Sequence, residues 1–339
     1  MARFRHVAVA AASALAVGAV LGACGGDGKP SGPVAATPHL TASPPHLAVP
    51  DLPAGPRVFF RHTGNDAHYG DVAVVPLQHP GGPRRFIPLD CVRVYATASD
   101  ASCLRATDHA GTTHELDELD ADWQVSDTVA LAGLPSRTRL SPDGSLVATT
   151  TFLTHDSYEN HGFVTATEIR RVGGETYGDL DDFRLVIDGH EVTAHDVNVW
   201  GVTFVDDNDF YATAATGGRT WLVHGDLSTR SLVPVRSNAE CPSVSPDHTR
   251  VAYKVDRPGR GRYWSVAVLD LTTDRQVVLH GERANVDDQV EWLDDDTLLY
   301  GLPRPRQPGV TDVWAIRTRG DAAPRVFIKD AWSPSVVRP

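Results

Sequence analysis

From about Arg57 onward, apolar and β-branched residues alternate with polar ones in short runs, and each run stops at a turn signal. Short period-two runs bounded by Gly, Pro, Asn and Asp read as strands. No stretch carries the 3.6-residue spacing of a convincing amphipathic helix. One phrase recurs in full, Ser141-Pro142-Asp143-Gly144 before Leu146-Val147-Ala148-Thr149, and Ser245-Pro246-Asp247-His248 before Val251-Ala252-Tyr253. Pro presets φ, Asp bonds its own backbone, and Gly144 accepts a positive φ, so the phrase predicts strand, tight turn, strand.

Weaker copies are centred on Asp100, Asp206 and Asp294, and Ser335 stands in the Asp place of a last, truncated copy. The intervals along the chain are 43, 63, 41, 47 and 41 residues. A period in this range is the mark of a β-propeller. The long interval contains the polar stretch Thr154–Glu191, read as an insertion of roughly 20 residues in one blade. An alternating third strand follows most turns: Val72–Val75, Phe163–Ala166, Trp221–His224, Trp264–Val268 and Val313–Ile316. A fourth follows at Arg85–Ile87, Arg184–Ile187, Ser231–Val235, Gln276–Leu279 and Arg325–Ile328. Four strands per repeat make a propeller blade. The chain from Arg57 supplies three strands with no inner strand before them, and Ala331–Val337 is an inner strand with nothing after it. The expected fold is therefore all-β: a six-bladed propeller of four-stranded blades, closed by joining the C-terminal inner strand to the first three N-terminal strands. A β-sandwich with chance repeats is the alternative architecture, and five or seven blades the alternative counts.

Apolar content of 41% permits a full core, and a net charge of −12 argues against general nucleic-acid binding. Only three lysines occur, Lys29, Lys254 and Lys329, so nearly all positive charge is Arg. With abundant Ala, Val, Gly and Pro, this bias suggests a high-GC genome, an actinobacterial one by expectation. At the N-terminus, Arg3 and Arg5 precede the apolar run Val7–Leu21, which ends in Leu21-Gly22-Ala23-Cys24. This resembles a bacterial lipoprotein signal, which implies removal of residues 1–23 and lipidation of Cys24. A plain secretory signal or an uncleaved anchor is the other reading. Residues 24–56, rich in Gly, Pro, Ala, Thr and Ser, then read as a flexible tether holding residues 57–339 off the membrane.

Ser-Pro-Asp-Gly before an aliphatic strand, repeated with an alternating third strand, resembles the TolB-type propeller repeat. The resemblance covers residues 57–339, is clear at Ser141 and Ser245, and is degenerate at Asp100, Asp206 and Asp294. It implies an extracytoplasmic propeller that binds a protein or peptide and has no catalysis of its own. No second domain like the extra N-terminal domain of TolB is evident, so a role in the Tol system does not carry over.

Enzyme constellations are sparse. G-x-S-x-G, Walker, G-x-G-x-x-G and H-E-x-x-H motifs are missing. The expectation is accordingly a chain without catalysis, catalytic residues, cofactor or metal. His155, His161, His190 and His195 lie in or beside the insertion among Asp and Glu, yet their spacing matches no metal-ligand pattern. Asp206–Asp209 and Asp294–Asp296 fall on blade turns, where Asp already has a turn role. Cys91 and Cys103 are candidates for a disulfide within one hairpin of the second blade, which leaves Cys241 free near the start of an inner strand. Recurrence at repeat positions makes Trp221, Trp264, Trp314, Trp292 and Trp332 packing residues, with Trp123 and Trp200 left as candidate exposed contacts. The acidic run His114–Asp122 reads as a solvated outer strand or loop, or as a dock for a basic surface.

The function expected from all this is a membrane-anchored, extracytoplasmic propeller that binds an unknown protein or peptide at the cell envelope. Its insertion would supply partner contacts, with His155, Tyr158, His161 and Tyr177 the candidates. A propeller enzyme or small-ligand binder of metal-dependent lyase or lactonase type, using the central channel, is the alternative. An accessory protein of an extracytoplasmic sensor kinase is a third, by family analogy alone.

Overall fold

The computed structural model describes residues 46–338, apart from 109–111, 258, 261 and 320. Cys24 lies outside the described residues, as does the tether up to residue 45. The described residues form six sheets, each built on four antiparallel blade strands. The architecture is an all-β, six-bladed propeller.

Every blade's first strand is innermost. These strands are Ala331–Val337, Arg93–Ala96, Leu134–Leu140, Asn198–Phe204, Glu240–Val244 and Glu291–Asp294 for blades one to six. Blade one is completed by Arg57–His62, Asp71–Pro76 and Arg85–Asp90, so strands from both ends of the chain share one sheet. The core is divided among the joints. Phe59 and Val72 of blade one pack on Val94 and Leu119 of blade two, and Val58 and Phe60 pack on Leu299 and Val313 of blade six. Equivalent clusters fill the other four joints, which makes the ring continuous. Ser and Thr hydroxyls add stitches between neighbours, such as Ser102 with Thr138 at 2.9 Å and Thr167 to the Val199 carbonyl at 2.6 Å.

The recurring turn is held by its own side chains. Ser141 Oγ donates to Asp143 Oδ1 (2.5 Å), which also accepts from the Ser145 amide (3.0 Å), while the Leu146 amide donates to Ser141 Oγ (2.9 Å). Ser245, Asp247, Thr249 and Arg250 repeat the arrangement. Partial burial pulls the Asp143 carboxyl upward, but these donors win and hold it below the ordinary carboxylate range. Asp206 and Asp294 likewise accept from amides within their turns.

Four expectations need correction. Ser335 is no turn residue: it lies inside the strand Ala331–Val337, opposite Phe59, because this strand and its partner Arg57–His62 come from distant parts of the chain with no turn joining them. Arg184–Ile187 is not the fourth strand of blade three. That place is taken by Thr176–Asp179, and Arg184–Ile187 instead pairs in parallel with Ser231–Ser237 on the outer edge of blade four. The insertion thus divides into a loop, 155–163, between the second and third strands of blade three, and an outer-edge extension from Leu180 onward. The acidic run is the third strand of blade two, Thr112–Leu119, with Asp117 and Glu118 buried. Arg105 meets Asp117 at 2.9 Å, and Arg170 of blade three meets Glu118 at 3.3 Å, so buried charge is answered by Arg. Finally, Trp123 and Trp200 are both buried. Trp123 stacks near Phe59 with ring centroids 4.5 Å apart, and Trp200 packs on Tyr158 and Phe163.

Cys91 and Cys103 form a disulfide, and Cys241 is a buried free thiol. Residues 46–56 lie against blades one and two. Leu47, Val49 and Leu52 pack on their shared core, and Gln124 bonds both the amide and the carbonyl of Leu47.

Candidate functional site

The inner strands all run the same way, so their two ends build two mouths. The narrow mouth, about 310 Å³, is lined by the recurring turns, among them Ser141, Pro142, Ser245 and Pro246. The wide mouth, about 630 Å³, is lined by the opposite ends of the strands, including Arg93, Arg137 and Trp332, and by the loop Asp156–Glu159. Trp332 reaches the cavity because Gly301 of blade six lies beneath it; a Cβ there would meet its ring at 2.2 Å.

The inner strands carry irregular pairing near this mouth. Registers shift at Pro135/Arg137, Trp200/Thr203 and Glu240/Ser243. Gly201 (φ 69°), Cys241 (φ 50°) and Ser333 (φ 52°) take left-handed backbone there. Such bulges re-aim neighbouring side chains, and the side chains of this mouth are charged and aromatic.

Tyr158 is the keystone. It is 2% exposed, its hydroxyl bonds Ser136 Oγ at 2.8 Å, and its ring packs on Phe152, Phe163 and Trp200. Burial pushes its phenol well above the usual range. Arg137 and Lys254 sit over the ring, each 4.9 Å from its centroid. The loop also reaches across the mouth: Arg262 of blade five donates to the Tyr158 carbonyl (2.5 Å), and Asn285 donates to Glu159 (2.8 Å). Blade three therefore straps part of the cavity.

Beneath the loop lies an ion-pair network. Lys254, fully buried, places Nζ 2.7 Å from Asp287 and 4.0 Å from the centre of the Trp264 ring. Arg137 lies 4.0 Å from Asp287, and Arg93 pairs with Asp288 at 3.1 Å. Burial, with the neighbouring charge of Arg137, brings the Arg93 guanidinium down to about 10. Glu240 accepts from Trp264 Nε1 at 3.2 Å, and burial raises its carboxyl. Burial likewise raises the Cys241 thiol, the reverse of what a thiolate nucleophile requires.

Of the four candidate partner contacts, Tyr158 belongs to this mouth as a buried anchor. His155 and His161 are exposed on the same loop, and half-buried Tyr177 lies on the outer strand of blade three. Among the described residues, no three His, Cys, Asp or Glu side chains gather in a way that could hold a metal ion. Sequence reasoning passed over Arg93, Arg137, Lys254 and Asp287. Two signals were available: Arg137 and Arg139 alternate along an inner strand, and Lys254 interrupts the apolar run Val251–Val255.

A second group of acids lies where the insertion leaves blade three. Asp179 caps the short 3-10 turn Leu180–Asp182, and Asp181 Oδ1 accepts from the Val199 amide at 2.7 Å. Burial, reinforced by Asp179, pushes Asp181 up to about 8. The folded value is above the unfolded one, so this group's stabilisation is complete below the ordinary carboxylate value and is lost as pH rises through 8. Asp181→Asn is expected to stabilise the fold by about 2 kcal/mol at pH 9 and by almost nothing at about pH 3.5, below the ordinary carboxylate value. Urea midpoints at the two pH values check this; an equal change at both would rule it out.

No family model matches the sequence, and no curated protein matches it. Solved structures do. TolB from Acinetobacter baumannii aligns over 85% of this chain and 68% of its own, with 13% identity and a TM-score of 0.58. A chain of the nidogen/laminin complex aligns over 83% of this chain and 98% of its own, at 12% identity and TM-score 0.52. A puromycin-hydrolyzing peptidase from Mycobacterium tuberculosis aligns over 85% of this chain but only 46% of its own, at 14% identity and TM-score 0.50. The fold is that of a TolB-like propeller. The expectation of a chain without catalysis does not stand, because a peptidase shares the fold on which it rested. A ring of blades is a scaffold common to binders and enzymes, and chemistry depends on what is built upon it.

Proposed function

We infer that this chain is an extracytoplasmic propeller lipoprotein, tethered through Cys24 and residues 25–45, that takes a protein or peptide partner at its wide mouth. The carrying observation is the mouth itself: a 630 Å³ cavity that combines charged side chains, an aromatic ring at Trp332 and the loop Asp156–Glu159. Sites of this kind pair apolar area with a few well-placed polar groups. The partner would approach where His155, Glu159 and His161 are exposed.

A photo-cross-linker at Glu159 is expected to trap the partner, whereas one at Val233, exposed on the outer edge of blade four, is not. With the cross-linker moved to His161, exposed on the same loop, replacing Asp156–Glu159 with a Gly/Ser linker should abolish the cross-link. Equal trapping at both positions would refute the mouth as the binding site. The tether has its own test: Cys24→Ala is expected to move the protein from the membrane to the soluble fraction, since stable anchoring depends on acyl chains. Unchanged fractionation would refute lipidation at Cys24.

A further inference from the structure

Among the described residues, the floor of the wide mouth holds one guanidinium with no close carboxylate partner. Arg93, Arg137 and Lys254 converge there against Asp287 and Asp288. Asp288 is committed to Arg93 (3.1 Å) and to the Gly301 amide (2.9 Å), and Asp287 is committed to Lys254 (2.7 Å). The nearby Glu240 is occupied by Trp264 Nε1 (3.2 Å) and lies in the field of Lys254, Arg262 and Asp256. Arg137 is the cation held most loosely: it is 6% exposed, its ion pair with Asp287 is long at 4.0 Å, and among the described residues its Nη atoms donate hydrogen bonds to the carbonyls of Ser136 (3.0 Å) and Asp287 (3.4 Å). Its Nε has no hydrogen-bond partner among the described residues. Both guanidiniums line the cavity. An Arg fork matches a carboxylate in shape and charge.

We propose that Arg93 and Arg137 form a carboxylate site at the floor of the mouth, and that the partner enters as a peptide presenting a carboxylate. The assignment rests on the mouth being the partner site. A monoanion suits it better than phosphate, because the site offers one loosely held guanidinium, Arg137, and the same cavity is rimmed by Asp156 and Glu159. Those rim acids would repel a dianion and favour a basic residue next to the inserted carboxylate.

The test uses three acetylated Gly/Ala hexapeptides: one with a free C-terminus, one amidated with an internal Glu, and one amidated without Glu. Binding to the intact protein is followed through the Arg137 Nε–Hε resonance, assigned by its loss in Arg137→Gln. One or both carboxylate peptides should bind at least tenfold more tightly than the third, and which one binds identifies the source of the carboxylate. Calorimetry with Arg137→Gln should show that preference lost. A difference below threefold on the wild-type protein overturns the proposal without reliance on any variant. Tighter binding of inorganic phosphate than of either carboxylate peptide overturns it as well. The readings fail separately: loss of the acid–amide difference with the Glu159 cross-link intact removes only the carboxylate site, whereas equal trapping at Glu159 and Val233 removes the mouth.

Discussion

Deleting residues 331–339 is expected to abolish the cooperative unfolding transition, or to lower the midpoint temperature by more than about 10 °C. This segment is the inner strand of blade one. It pairs along Arg57–His62, and its loss would strip ladder partners from a strand whose Val58, Phe59 and Phe60 are fully buried. Ser335 Oγ bonds both the amide (2.9 Å) and the carbonyl (2.8 Å) of Ala96, and Ser333 Oγ bonds the Val94 carbonyl (3.0 Å), so blade two loses its neighbour as well. Glu291 of blade six loses the Val336 amide. Exposing each large apolar side chain costs roughly 1.5–3 kcal/mol, and the net stability of a domain is only about 5–15 kcal/mol. Circular dichroism and urea titration of the truncated chain check the result, and a synthetic peptide spanning 330–339 added in trans should restore part of the transition. A truncated chain with the wild-type midpoint would show that the ring does not depend on joining its two ends.

That closure was legible because it follows from counting strands. The turn at Asp143 is specified by residues adjacent in sequence, so its copies can be recognised and spaced. What lay beyond reach was partnership at a distance. Arg184–Ile187 reads as a strand, but nothing in its alternation says which sheet edge it joins. The structure places it on blade four because Leu180, Phe183 and Leu185 bury into the joint with Val199 and Phe210. The acidic strand Thr112–Leu119 reads as solvated because its partners lie on other strands: Arg105 on the strand before it answers Glu115 and Asp117, and Arg170 of the next blade answers Glu118.

The site illustrates the same limit more sharply. Arg93 and Asp288 are 195 residues apart, and Glu159 and Asn285 are 126 apart. Each residue sits at an ordinary place in its own repeat, so no local spacing announces the cluster. The insertion was sought as the functional element, and its loop at Tyr158 does reach the mouth. The charged floor comes instead from the repeats themselves, where the bulged starts of the inner strands face one another. Asp143 and Asp247, which resemble candidate acids in isolation, are occupied by their turns.

The second large effect concerns Asp287. Removing it by Asp287→Ala is expected to cost about 3–5 kcal/mol, because Lys254 would remain fully buried without its counter-ion and Arg137 would lose the same carboxylate. Lys254→Met should cost less, about 1–2 kcal/mol: it leaves Asp287 facing Arg137, and the Met side chain can keep the contact with the Trp264 and Tyr158 rings. The double variant Lys254→Met/Asp287→Ala should be more stable than Asp287→Ala alone, and the cycle closed with the two single variants should return a coupling above about 2 kcal/mol. The effect has a defined pH sense. Burial alone would raise the Asp287 carboxyl, but Lys254 and Arg137 override it and hold the group below its ordinary value. A depressed folded value means that the stabilisation is present above the ordinary carboxylate range and is lost as pH falls through that depressed value. The gap between wild type and Asp287→Ala should therefore be full at pH 7 and narrow on acidification. Urea midpoints across this range decide the matter: a gap that persists unchanged under strongly acidic conditions would mean that Asp287 acts through packing, not through its charge.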